Sequence, residues 1–167
     1  MVESVIPGFA IRDGVASDAD VVAEIAVEAW RPIYAHSRET LGSELFAHLH
    51  TDWEAEKARQ VRQACEDDSR GSVLIATVGG VVVGFVSFYT HAAPVGVIGN
   101  NAVRPEYQSR GIATELYETT LDRLRAAGMR YARVTTGGDP AHAPARRAYE
   151  KVGFGAELPS VTYHREL

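Results

Sequence analysis

Val103-Arg104-Pro105-Glu106-Tyr107-Gln108-Ser109-Arg110-Gly111-Ile112-Ala113-Thr114 holds a strand end, a proline stop and the opening of an amphipathic helix. The first turn of a helix carries unpaired backbone N–H groups and the positive end of the helix dipole. A phosphate set there accepts several of those N–H groups at once. Gln108 to Thr114 therefore reads as an anion-cradling turn. Ser109, Gly111 and Ala113 keep alternate positions small, so a ligand can approach the backbone, and Arg110 and Arg104 add positive charge. The turn is not a P-loop, since no Gly-Lys-Ser/Thr follows, and it lacks the Gly-x-Gly-x-x-Gly of dinucleotide sites.

Beyond this turn, Ile112, Leu116 and Leu124 share one face of a helix that Gly128 closes. Tyr131–Thr136 reads as a strand. A helix starts near Pro144 and runs to Val152, with Gly153 at its end. Phe154 onward and Val161–Arg165 alternate as one or two last strands would. Before the turn, Val95–Val103 reads as a strand. Ser72–Val78 and Val81–Tyr89 are β-branched runs joined by Gly79-Gly80, a hairpin signal. Thr51-Asp52-Trp53-Glu54 resembles a capping box opening a helix to about Glu66, and Leu41, Leu45 and Leu49 suggest a short helix. Ser17 and Asp20 form a second capping signal, followed by Val22, Ile25, Ala26 and Ala29 at helical spacing. Pro32 is expected to end or kink that helix. Phe9–Arg12 supplies a first strand. The order β, α, α, β, β, β, α, β, α, β predicts an α/β (α+β) fold, with a mixed, largely antiparallel central sheet flanked by helices. No repeat or linker interrupts it, so residues 1–167 read as one domain.

The 167 residues, 46% hydrophobic, suffice for a core without disulfide or metal staples. A net charge of −5 argues against a nucleic-acid partner. The single cysteine, Cys65, forms no internal disulfide, and its acidic neighbours Glu66, Asp67 and Asp68 argue against a nucleophilic thiolate. No His/Cys cluster has metal-ligand spacing, so no metal is expected. The N-terminal stretch lacks a signal-peptide pattern and the apolar runs are short, so no membrane association and a soluble, cytoplasmic protein are expected.

The stretch Val103–Ala113 resembles the acetyl-CoA loop of the GCN5-related N-acetyltransferase (GNAT) family, whose pattern Gln/Arg-x-x-Gly-x-Gly/Ala follows a strand ending in Val-x-Pro. Gln108, Gly111 and Ala113 match it. His142-Ala143-Pro144-Ala145-Arg146-Arg147-Ala148-Tyr149-Glu150-Lys151-Val152-Gly153-Phe154 resembles the family's late helix, Asn-x-x-Ala-x-x-x-Tyr-Glu-Lys-x-Gly-Phe. The resemblance is strong over Val95–Phe154 and weak before residue 70.

This resemblance implies an acyl-CoA N-acyltransferase fold and acetyl-CoA as cosubstrate. It implies that the fourth and fifth strands splay to admit the pantetheine arm, beside the backbone of Ala102 and Val103. The Val103 N–H would face the oxyanion. The diphosphate would rest on Gln108, Ser109, Arg110, Gly111, Ile112, Ala113 and Thr114, with Arg104, His142, Ala145, Arg146 and Tyr149 completing the cofactor site. Arg147 is a further candidate for the 3′-phosphate. Tyr149 is the expected general acid, because a phenol is protonated at neutral pH; packed with Ala145, Ala148 and Val152, it also reads as an ordinary core aromatic. His142 stands where the family usually has asparagine.

Many relatives place a Glu or Asp base on the fourth strand, where Gly99-Asn100-Asn101 stands here. Base work would fall to water held by Asn101, to His91, whose pKa suits neutral pH, or to Glu28. Trp30, Tyr34, His36, Tyr89, His91 and Tyr163 are candidates to line an acceptor pocket, where aromatic faces attract ammonium groups. A small-molecule amine is the expected partner. A protein or peptide amine, and a non-catalytic acyl-CoA sensor, stay open as alternatives. The alternating chain end is compatible with a homodimer.

Overall fold

The computed structural model describes residues 6–67, 71–90 and 94–167. Among these residues five strands and five α-helices follow in the order β1 Phe9–Asp13, α1 Ala19–Leu41, α2 Ser43–Leu49, α3 Trp53–Glu66, β2 Ser72–Val78, β3 Val81–Thr90, β4 Val95–Val103, α4 Ile112–Ala126, β5 Tyr131–Val134 and α5 Ala143–Lys151. The sheet order is β1-β2-β3-β4-β5. Every pairing is antiparallel except β4 with β5, and α4 is the crossover that a parallel pair requires. The expected mixed, largely antiparallel sheet flanked by helices is what forms.

The hairpin connection is as read from the sequence. Gly79 and Gly80 have φ of 57° and 83°, the double positive φ that a two-residue turn of matching twist demands. Both faces of the sheet are covered, which explains the nearly continuous apolar run in β2. Leu74, Val86 and Ile98 pack against Ile112, Leu116 and Leu124 of α4 and Tyr149 of α5. On the other face, Val73, Ile75 and Phe85 pack against Val22, Ile25 and Ala26 of α1 and Val61 and Cys65 of α3.

Three local expectations are corrected. Pro32 does not end α1, which runs through it to Leu41. A proline there removes the bond to the Glu28 carbonyl. The helix is nevertheless held on both sides: Ile25 and Ala26 are buried before the proline, and Tyr34 packs on Phe46 and Trp53 after it. Gly42, with φ of 80°, then separates α1 from α2.

The two capping boxes do not form either. Asp18, not Ser17, anchors the start of α1. Its carboxylate accepts the Val15 N–H at 2.9 Å and both terminal nitrogens of Arg12 at 2.7 Å. Asp20 pairs instead with Arg62 at 2.9 Å, and the Thr51 hydroxyl donates back to the Ala47 carbonyl at 2.9 Å.

The chain end forms no strand. Residues 154–167 contain no helix or strand, and 155–167 are exposed. Alternation specifies a strand only where a neighbouring edge takes its hydrogen bonds, and β5, four residues long, is the last strand of the sheet.

Candidate active site

β4 carries the decisive irregularity. Its register against β3 passes from Val86↔Asn101 to Phe88↔Ile98, so Gly99 and Asn100 together oppose Ser87. A bulge of this kind bends the strand that bears it. Gly99 is suited to it, since a Cβ there would lie 2.7 Å from the Ser87 hydroxyl oxygen. That hydroxyl donates to the Asn100 carbonyl at 3.0 Å. Pairing with β5 stops at Ile98↔Val134, immediately before the bulge, so Gly99–Val103 has no β5 partner. The two strands part there.

The opened edge presents backbone polar groups. The Arg104 N–H donates to the Val83 carbonyl on β3 at 2.8 Å. Strand alternation then directs the Ala102 N–H toward β3 as well, and turns the N–H groups of Asn101 and Val103 to the open edge. The Gln108 side-chain amide donates to the Val103 carbonyl at 3.0 Å, tying the turn to this edge. Within the turn, Ser109 has φ of 60° and Gly111 φ of 87°. Left-handed residues interspersed in a turn aim successive N–H groups into one concavity, an anion-binding shape. A non-glycine residue held at positive φ is costly and concentrates at functional sites.

A cavity of about 1050 Å³ runs through the gap. It is bounded by the 108–114 turn and α5 on one face of the sheet and by Trp30 and Lys57 on the other. Asn101 lies between. Its amide nitrogen donates to the Gly99 carbonyl at 3.0 Å and to the Tyr149 hydroxyl at 3.0 Å, while its oxygen accepts the Tyr117 hydroxyl at 2.7 Å. A carbonyl only accepts, so the Gly99 contact fixes which end of the amide is nitrogen. The Asn101 amide nitrogen therefore serves Tyr149 as a donor, and the Tyr149 hydroxyl in turn makes a longer contact, 3.3 Å, to the Asn101 oxygen, which a group in the cavity can replace as acceptor of the phenolic hydrogen. Burial pushes the Tyr149 pKa above the ordinary phenol value, although Asn101 and Tyr117 pull the other way. The hydroxyl is thus protonated at neutral pH.

The sequence matches the acetyltransferase (GNAT) family over residues 27–154. The chain belongs to the GNAT family. None of the curated proteins matches it in sequence at a significant level. Among solved structures, it is similar to a ribosomal-protein-alanine N-acetyltransferase from Brucella melitensis, with a TM-score of 0.63, 18% identity and coverage of 95% of this chain and 99% of that one. It is also similar to an aminoglycoside acetyltransferase from an uncultured soil metagenomic sample in complex with sisomicin (TM-score 0.62, 15% identity, coverage 96% and 97%). A third similar structure is the aminoglycoside N-acetyltransferase AAC(6')-Iy with the bisubstrate analogue CoA-S-monomethyl-acetylneamine (TM-score 0.63, 17% identity, coverage 95% and 99%). At these identities the likeness establishes the fold.

In this GNAT chain the cavity is lined by Ala102, Val103, Gln108, Ser109, Gly111, Ile112, Ala113, Thr114, His142, Ala145 and Tyr149 of the expected cofactor site, and by Trp30 and Tyr89 of the expected acceptor site. Among the described residues, Arg104, Arg110, Arg146, Tyr34 and Tyr163 do not line it. Arg104 donates to the Val82 carbonyl and faces Glu24 and Glu28 at 3.8 and 3.6 Å. Arg110 donates to the Glu106 carbonyl at 2.8 Å and covers the Tyr107 ring. Arg146 donates to the carbonyls of Gly137 and Asp139, bracing the loop before α5, whereas Arg147 lines the cavity. Tyr34 stacks on Trp53 with ring centroids 4.1 Å apart. Tyr163 is exposed, and His91 lies outside the described residues.

His142 stands at the N-cap position of α5 but its side chain makes no capping hydrogen bond. Asp139 caps the preceding turn, accepting the N–H groups of Ala141 and His142, and its other oxygen lies 2.6 Å from His142 Nδ1. Cys65 is buried and its thiol is pushed up to about 11, first by burial and then by Asp18 and Glu66, so it is inert.

The sequence reading missed Tyr117 and Lys57. Tyr117 sits on the buried face of α4, where a hydroxyl needs a partner. Lys57, Val61 and Cys65 recur at intervals of four in α3. A lysine in an apolar stripe was the available signal.

Proposed function

We propose that the chain transfers the acetyl group of acetyl-CoA to a primary amine of a small molecule by direct attack, with Tyr149 as the proton donor to the departing thiolate. The observation that carries this reading is the cavity through the β4/β5 gap, lined both by the 108–114 turn and by the hydrogen-bonded phenol of Tyr149. Acetyl-CoA would lie on the α4/α5 face. Its diphosphate would meet the N–H groups of 108–114, and its pantetheine the open edge of β4. The acceptor would enter from the α1/α3 face.

The amine nitrogen bonds to the thioester carbon as the C–S bond breaks. The Val103 N–H stabilises the charge developing on the carbonyl oxygen. The Tyr149 proton goes to the sulfur and the amine's proton to water. Among the described residues no aspartate or glutamate lines the cavity, and the side chains of Asn100 and Asn101 are amides, which are not bases. The amine thus reacts in its neutral form, and kcat/KM is expected to rise with pH until the acceptor's own pKa is passed. Paired acceptors differing in amine pKa should shift that break point accordingly; a common break point for both would point to a base on the enzyme.

Thiol release from acetyl-CoA with a panel of primary amines, together with mass detection of the acetylated product, tests the activity. Turnover on at least one amine supports it. Tight CoA binding without turnover on any amine supports a sensor instead, a reading that the missing acidic lining favours. Turnover confined to peptide N-termini would move the acceptor to a protein amine.

A further inference from the structure

Lys57 lines the cavity as a cation with no ion-pair partner among the described residues, and Glu56 acts on it only through space. Its Nζ donates to the Asn100 side-chain oxygen at 3.1 Å and to the Gln60 side-chain oxygen at 3.2 Å. It also lies 4.5 Å from the centroid of the Trp30 ring. Two of its three N–H bonds are thus used, and both acceptors are neutral amides. Glu56, one residue away, spends its carboxylate on Arg59 and Gln60. No carboxylate reaches ion-pair distance of Lys57 among the described residues. The other charged side chains lining the cavity, Arg133, Arg147 and Lys151, are also cations, in a chain whose net charge is −5. Burial lowers the pKa of the Lys57 ammonium, with Glu56 pulling the other way, and a partner anion would act in the same sense as Glu56.

A polycationic acceptor would meet repulsion at Lys57 and find no acid to hold it. An anionic group beside the reacting amine would take the third N–H bond of Lys57 and the edge of Asn100. We infer that Lys57 is a specificity-determining residue that binds a carboxylate carried by the acceptor, so the acceptor is an amine of amino-acid type and not a polyamine or aminoglycoside. The inference rests on the acetyltransferase reading and deepens it.

The test uses matched pairs, each an amino acid with a free amine and the same compound with its carboxylate converted to the primary amide. Thiol release gives kcat/KM for each member with the wild-type enzyme, with Lys57→Gln and with Lys57→Arg. The acid is expected to exceed its amide by about 10- to 100-fold in the wild type, as a desolvated charge-assisted hydrogen bond warrants. That ratio should fall toward one in Lys57→Gln, through KM, and recover in part in Lys57→Arg. A wild-type ratio of one or below overturns the inference while leaving the acetyltransferase reading intact. So does a ratio unchanged in Lys57→Gln. Absence of thiol release with every member of both series, with acetyl-CoA still bound, removes the acetyltransferase reading itself and the inference with it.

Discussion

Asn101 satisfies two buried phenols with a single side chain, its nitrogen toward Tyr149 and its oxygen toward Tyr117. Replacing it by leucine leaves both hydroxyls without that partner, and unpaired buried polar groups cost about 1–3 kcal/mol each. Asn101→Leu is therefore expected to lower unfolding free energy by about 2–4 kcal/mol in urea denaturation. Tyr149→Phe keeps the ring and removes only the proton donor. Its expected effect is a fall in kcat of about 100-fold, as for loss of a general acid, with acetyl-CoA affinity within about twofold of wild type. An unchanged kcat would take Tyr149 out of the chemistry. Tyr149 and Asn101 were legible in the sequence because each stands inside a motif or a strand of recognisable kind. Tyr117 and Lys57 were not, since their meaning depends on partners 16 and 43 residues away, which only the tertiary fold brings near.

Among the elements, the 108–114 turn and the β4 bulge decide whether the cavity exists. Gly111 caps α4 at φ of 87° with nothing within 4 Å of where a Cβ would stand. Its glycine is needed for backbone conformation and not for want of room. Gly111→Ala should cost about 1–2 kcal/mol of stability for the left-handed conformation and weaken acetyl-CoA binding in calorimetry; unaltered affinity would separate the turn from the diphosphate. The hairpin, the sheet order and α4 were readable because turn chemistry and periodicity are local. The course of α1 through Pro32 and the missing strand at the chain end were not. In both cases neighbours, Phe46 and Trp53 in one and an absent partner edge in the other, overrule a pattern that is correct by itself.

At the scale of the molecule, the fold is a sheet covered on both faces, and its edge details decide its tolerance to change. Residues 156–167 are exposed and form no helix or strand, so their removal should move the thermal midpoint by less than about 2 °C. Asp18 fastens β1 to α1 through Arg12. The Arg12 hydrogen bonds hold its carboxyl below the usual range, against the opposing effect of burial. A carboxylate with a depressed folded pKa contributes its full stability above its unfolded pKa of about 4 and loses it as pH falls through the folded value. Arg12 is 44% exposed, which weakens the pair by screening. Asp18→Asn should therefore cost about 1–2 kcal/mol at pH 7 and progressively less below pH of about 4, measured by denaturant titration across that range.

The account as a whole depends on where acetyl-CoA lies, and amide chemical-shift mapping of the 15N-labelled chain during titration with CoA reads this directly. The largest perturbations are expected at Asn101 and Val103 on the open edge of β4 and along 108–114. Saturable binding that leaves those amides unmoved and perturbs others would contradict the proposed seat, and with it the acetyl transfer built upon it.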